Sequence, residues 1–220
     1  MPLPITAPRL AAAALCLALA GCGTAEPVKY SGIASSAQLE RNAQDKSGRM
    51  PYRYASNADW RQYQKIIVDP VAIYQGPDQQ FGTMTDADKV ALAGYMQAQF
   101  SEKLRSRFLM VNAPGPHTLR LKLTLTGATA TPPVLATLSR FDIAGGVYNG
   151  LQTARGGEGT LTGAVIYAVE IHDAKTNQLL AAYVSKQYPN PYDIPASFGP
   201  LAASKVGIDK GAEALLAELQ

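Results

Sequence analysis

The chain is poor in the residues that most often carry chemistry. It has two cysteines, Cys16 and Cys22, and none follows residue 22. A folded body built after that point has neither a disulfide framework nor a thiolate metal centre. There are two histidines, His117 and His172, separated by a long stretch of sequence. A zinc site or a Ser-His-Asp triad needs nitrogen ligands or a base in a convergent cluster, and isolated histidines do not supply one. No Gly-x-Ser-x-Gly nucleophile elbow occurs, so the simplest hydrolase signature is missing. No apolar run beyond the N-terminal region reaches membrane-spanning length. Lys and Arg total 20 against 17 Asp and Glu, a net charge of +3, and the cations are scattered without a block of four. That pattern gives no footprint for nucleic acid and none for polybasic lipid binding.

What is present is enough apolar material for a sizeable core, 47% of residues. The N-terminus is also organised. Arg9 is the only charge before an apolar stretch from Leu10 to Ala20, which ends in Leu19-Ala20-Gly21-Cys22. The stretch is short for a membrane span, which needs about 20 apolar residues, and Gly23-Thr24-Ala25-Glu26-Pro27 ends it at once. A plain signal peptide accounts for Arg9 and the apolar run but not for the cysteine directly after Leu-Ala-Gly. The pattern resembles a bacterial lipobox, which implies lipid on the Cys22 thiol and cleavage before it. The expected organisation is a signal peptide over residues 1–21, a flexible tether over 22–50 and a single domain over 51–220. The tether assignment rests on a composition of Ser, Ala, Gln, Gly and charge with few large apolar residues.

The domain predicts alternating strands and helices. Lys65 to Tyr74 is β-branched and apolar, interrupted by Pro70, which lacks an N–H and forces an irregularity or an edge. Thr85-Asp86-Ala87-Asp88 offers an N-cap and first-turn acids. Leu92, Met96, Phe100 and Leu104 then recur on one helical face. Phe108 to Val111 is a short strand candidate. Leu119, Leu121, Leu123 and Leu125 alternate with Arg120, Lys122, Thr124 and Thr126, so one face is in the core and one toward water. Thr160–His172 and Gln178–Gln187 flank the turn Asp173-Ala174-Lys175-Thr176-Asn177, where Asn177 suits a left-handed position. Leu201, Ile208, Ala212, Leu215 and Leu219 outline a C-terminal helix. The expected fold class is α+β: a two-layer α/β sandwich with a four- to five-stranded mixed sheet covered by two amphipathic helices.

Candidate chemistry is sparse. Asp69 and Glu170 within strands form a conceivable carboxylate pair, and His172-Asp173 a conceivable metal pair; a partly solvated sheet face and a polar strand terminus are the favoured readings of them. Arg155-Gly156-Gly157-Glu158-Gly159 leads into a strand, whereas a phosphate cradle opens a helix. Tyr52, Tyr54, Trp60, Tyr63 and Tyr74, with Tyr183, Tyr188 and Tyr192, suit either an aromatic platform for sugars or peptides or the pinning of the N-terminal extension onto the sheet. Between Gly127 and Gly159, Leu135, Leu138, Phe141 and Tyr148 lie among Pro and Gly breaks. They are the candidate partner contact, unless they cover a sheet face. No cofactor and no metal are expected.

Tyr30-Ser31-Gly32-Ile33, the run Asp59-Trp60-Arg61-Gln62-Tyr63-Gln64-Lys65-Ile66-Ile67-Val68-Asp69-Pro70-Val71, Pro114-Gly115-Pro116-His117-Thr118-Leu119-Arg120-Leu121 and Asp173-Ala174-Lys175-Thr176-Asn177-Gln178-Leu179-Leu180 resemble a family of proteobacterial lipoproteins, domain of unknown function family 3313. The resemblance spans about Tyr30 to Leu219 and brings no catalytic residues with it. The expectation is a non-enzymatic protein anchored to the outer membrane by its N-terminal lipid and facing the periplasm. It would contact another envelope protein, not nucleic acid, in an unspecified oligomeric state. A peptidoglycan or glycan binder is the alternative, and a hydrolase with an unrecognised site the third possibility.

Overall fold

The computed structural model describes residues 25–130, 163–190 and 199–220. The leucine alternation from Leu119 builds the longest strand. In chain order the strands are β1 (Glu40–Arg41), β2 (Tyr52–Ala55), β3 (Lys65–Val68), β4 (Ala72–Ile73), β5 (Leu109–Met110), β6 (Thr118–Thr129), β7 (Ala164–Asp173) and β8 (Leu179–Gln187). The helices are α1 (Asp86–Leu104) and α2 (Ala202–Glu218). The sheet order is β1-β2-β8-β7-β6-β3-β5, with β4 also paired to β6. From β1 through β2, β8 and β7 to β6 successive strands are antiparallel, whereas β3 pairs parallel with β6 and β5, and β4 parallel with β6.

Among the described residues the sheet thus has eight strands, which corrects the expectation of four to five. The difference has two physical sources. The run from Lys65 to Tyr74 is not one strand: the Asp69 amide makes a last bond to the Leu121 carbonyl, Pro70-Val71 leaves the ladder, and β3 and β4 pair separately along β6. The Val71 amide is satisfied by Gln97 Oε1 of α1 at 2.8 Å instead of by the sheet. At the other end, β1 and β2 arise from residues too few to show alternation. β2 is defined by its pairing with the distant β8, and β1 by its pairing with β2.

Local signals set the helices. The Thr85 hydroxyl accepts the Asp88 amide at the start of α1. Leu92, Met96, Phe100 and Leu104 are completely buried against Leu119, Leu121, Leu123 and Leu125. α2 lies beside α1, tied to it by Tyr95 Oη donating to Asp209 at 3.0 Å and by the Lys103–Glu213 ion pair at 2.8 Å. Burial, with the adjacent Asp209 carboxylate, pushes the Tyr95 hydroxyl up to about 12. α2 approaches the sheet at Gly207 and Gly211. A β-carbon on Gly207 would lie 2.8 Å from the Gln187 carbonyl oxygen. At the β7–β8 turn, Asn177 takes φ 59°, and Asp173 Oδ1 accepts the amides of Lys175 and Thr176.

The second face of the sheet is covered by the N-terminal segment. Tyr30, Ile33 and Leu39 are buried against Ile166, Ala168, Ala182 and Val184 of β7 and β8, together with Tyr74. The segment expected as a flexible tether over 22–50 is therefore, in its described part, a strap belonging to the folded body. Its three large apolar residues are spaced among Ser, Ala and Gly, which is why composition alone makes it look like a linker.

Candidate functional site

The second sheet face carries both the strap and the clustered charges. Its polar half is built from alternate residues of β6 and β7. Arg120 stands opposite His172 and Lys122 opposite Glu170. Asp69, where β3 ends, approaches Arg120 Nε to 3.8 Å. The strap closes one side of this group. The Ser35 amide donates to Glu170 Oε1 at 2.8 Å, in buried surroundings.

The strap is fixed along its length. The Lys186 Nζ donates to the Ala25 carbonyl at 3.0 Å and Gln80 Nε2 to the Glu26 carbonyl at 2.8 Å. The Tyr30 hydroxyl donates to Gln80 Oε1, and its ring meets Tyr74 edge-on at 5.4 Å. Burial pushes the Tyr30 hydroxyl up to about 12. Tyr30 sits at φ 54°, uncommon for a bulky side chain, and the buried ring holds it there. Asp78 accepts the Ser31 amide at 2.9 Å and the Tyr74 hydroxyl at 2.7 Å, and these bonds hold its carboxyl below the usual carboxylate range. The Tyr74 hydroxyl in turn accepts the Gly32 amide at 2.9 Å.

Asp69, Glu170 and His172, distant in sequence, share this face. Their geometry is that of a charge network. His172 is buried, its Nδ1 has no hydrogen-bond partner, and its pKa lies below the usual histidine value. Burial is the main cause, the Lys122 charge adds to it, and Glu170 opposes it. The Ser35 hydroxyl is also buried without a partner, so no Ser–His hydrogen bond forms here. A nucleophile and its base need a separation of about 2.6–3.2 Å. Among the described residues no group of three or more His, Cys, Asp or Glu side chains could hold a metal ion.

The remaining sequence candidates fall elsewhere. His117, with φ 57°, closes the turn before β6 and places Nδ1 2.8 Å from the Gln62 carbonyl oxygen. The tyrosines mostly point inward. Tyr63, Tyr74, Tyr183 and Tyr188 are buried, and half-buried Tyr52 and Tyr54 pack beside the strap. Cys22, Tyr192, the contact candidates Leu135, Leu138, Phe141 and Tyr148, and the glycine-rich Arg155–Gly159 run lie outside the described residues. The described flanks of residues 131–162 are neighbours, since Thr129 pairs with Ala164. The strap was invisible to composition. The one signal that singles it out is the cluster Tyr30-Ser31-Gly32-Ile33. An open cavity of about 340 Å³ lies at the start of α2, lined by Gly199, Pro200, Leu201, Ala202 and Lys205, without converging charges.

Fold and site together define an α+β domain with helices on one face of a mixed sheet and a strap with a charge network on the other. The chain belongs to the family described as protein of unknown function DUF3313, whose model matches residues 29–215. No curated protein matches it. Among solved structures, a point variant of the PelC dodecamer from Paraburkholderia phytofirmans is similar at 11% identity and a TM-score of 0.35, covering 76% of this chain and 90% of that one. The PelC dodecamer of the same organism in another crystal form is similar at 11% identity and 0.36, covering 72% and 92%. At these TM-scores the likeness extends neither to assembly nor to function.

Proposed function

We propose that this chain is a lipid-anchored protein of the bacterial cell envelope that acts without catalysis, as an interaction module for another envelope protein. The observation that carries the reading is the junction between lipobox and strap. Gly23 and Thr24 alone separate the candidate lipidated Cys22 from Ala25, whose carbonyl is already held by Lys186. A fold that captures its own chain this close to the cysteine suits a body mounted on an anchor. Two or three acyl chains give stable anchoring where one is marginal. Gly23 in place of Asp after the cysteine supports an outer-membrane address with the domain toward the periplasm, and the family resemblance supports a proteobacterial lipoprotein. Non-catalytic action is supported by the charge network, whose groups face one another and the strap backbone. The partner contact is assigned to Leu135, Leu138, Phe141 and Tyr148.

Replacing Cys22 with Ser tests the anchor. The variant is expected to lose the acyl mass and leave the membrane fraction or accumulate as precursor. Unchanged mass and fractionation overturn the reading, and recovery of the wild type with inner-membrane markers overturns its outer-membrane part. Cross-linking in intact cells is expected to recover envelope proteins. Recovery of muropeptides alone would replace this reading with glycan binding.

A further inference from the structure

We propose that the strap face of the sheet lies directly against the lipid headgroups, with α1 and α2 on the far side of the molecule. This orientation rests on the lipid-anchor reading and adds to it which surface meets the membrane. It follows from chain length. A tether running to residue 50 would let the domain wander about 90–100 Å from the bilayer. The structure removes that freedom, because the chain is docked from Ala25 onward. Lys186 holds Ala25, Gln80 holds Glu26, Pro27 is buried, and Tyr30 and Ile33 follow into the core. From Cys22 to Ala25 the chain spans at most about 11 Å when fully extended. The Cys22 Cα is therefore within about 11 Å of the Ala25 Cα and the thioether-linked glycerol within about 15 Å, and Ala25 is bonded to Lys186, which projects from the same side of β8 as Val184 in the strap-covered cluster.

The outer surface of the strap fits that position. From Pro27 to Leu39 the sequence holds no carboxylate, and its single charge is Lys29. The exposed residues there include Val28, Gly32, Ala34 and Ala37, small or apolar groups that need little desolvation at a headgroup surface. Arg41 and Lys29 both lie over the ring of Tyr52, 6.0 Å and 5.9 Å from its centroid, adding cations toward anionic lipid. Opposite, α1 presents Val90, exposed and a full sheet and helix layer farther away, about 20 Å at a layer spacing of about 10 Å.

The test uses the full lipoprotein reconstituted into phosphatidylcholine–phosphatidylglycerol vesicles carrying a nitroxide on a fraction of the headgroups. Acylation blocks the Cys22 thiol, so Ala34→Cys and Val90→Cys each offer one labelling site for a fluorophore. Quenching at position 34 is expected to exceed that at position 90 by about threefold or more. Inserting about twenty Gly and Ser residues between Thr24 and Ala25 is expected to reduce the quenching at 34 to the level at 90. Equal quenching of the two probes in an acylated protein overturns the orientation, as does an insertion that changes neither. Intact mass separates the failures: a protein without acyl chains refutes the anchor itself, whereas an acylated protein with equal quenching refutes only the orientation.

Discussion

Three glycines within helices make opposite demands on one substitution. In a helix interior Ala is favoured over Gly by about 0.8–1.0 kcal/mol, because Gly gives up more backbone freedom on folding. Gly94, in the middle of α1, has open space around an added β-carbon. Gly94→Ala is therefore expected to stabilise the protein by about 0.5–1 kcal/mol, raising Tm by about 1–4 °C for a domain of this size. At Gly207 the same methyl group would sit 2.8 Å from the Gln187 carbonyl oxygen and 2.9 Å from Val165 Cγ1. The first of these is backbone in the central sheet and cannot swing away. Overpacking of this kind costs about 1–3 kcal/mol, which offsets the propensity gain and leaves a net loss of up to about 2 kcal/mol, or up to about 8 °C in Tm. At Gly211 an added β-carbon would run into the hydroxyl of Tyr167. That ring is buried and meets Phe100 edge-on at 5.8 Å, so it has no room to retreat and the loss should equal or exceed that at Gly207. Urea and thermal unfolding followed by circular dichroism measure all three. If Gly207→Ala and Gly211→Ala raise the midpoint as Gly94→Ala is expected to, the close packing of α2 on the sheet is wrong.

Two further outcomes are expected. Leu123→Ala removes a buried side chain between α1 and the sheet and should cost about 2–5 kcal/mol, whereas Thr124→Ala, half-buried on the opposite face, should stay within about 0.5 kcal/mol. Equal losses in urea midpoint would mean that β6 faces the other way. His172 is buried with a lowered pKa, so the unfolded chain, titrating near 6.5, takes up the proton first. Its effect is absent above that pH, and stability falls as pH drops below about 6.5 until the lower folded pKa is reached. His172→Gln should flatten this decline between pH 7 and 5.5, and parallel urea midpoints for wild type and variant across that range would refute the buried neutral histidine.

The parts legible in the sequence are those whose signals are local. The Thr85 cap, the four-residue repeat of Leu92, Met96, Phe100 and Leu104, the alternation from Leu119 and the left-handed Asn177 each announce themselves within a few residues. The strand number was not legible, because β1, β4 and β5 have two residues each and exist only through distant partners. The strap was hidden for a related reason. Tyr30, Ile33 and Leu39 have neither a helical nor a strand period, and their burial depends on a face supplied by β7 and β8. Of the candidate site, Asp69, Glu170 and His172 were visible as individual residues. Their convergence was not, since it follows from the register of β6 against β7 and the break at Pro70.

The strap has a temporal consequence. Its contacts in the fold, Tyr74, Asp78, Gln80, Ile166, Glu170, Ala182, Val184 and Lys186, all lie farther along the chain. A polypeptide threaded amino-end first delivers the strap long before its resting place exists, and Ser35 waits 135 residues for Glu170. Through that interval the strap has no β7–β8 face to dock on. Docking is possible only once the β7–β8 hairpin is complete. If Cys22 is acylated as proposed, that step and docking are ordered by position along the chain, with no separate timing device.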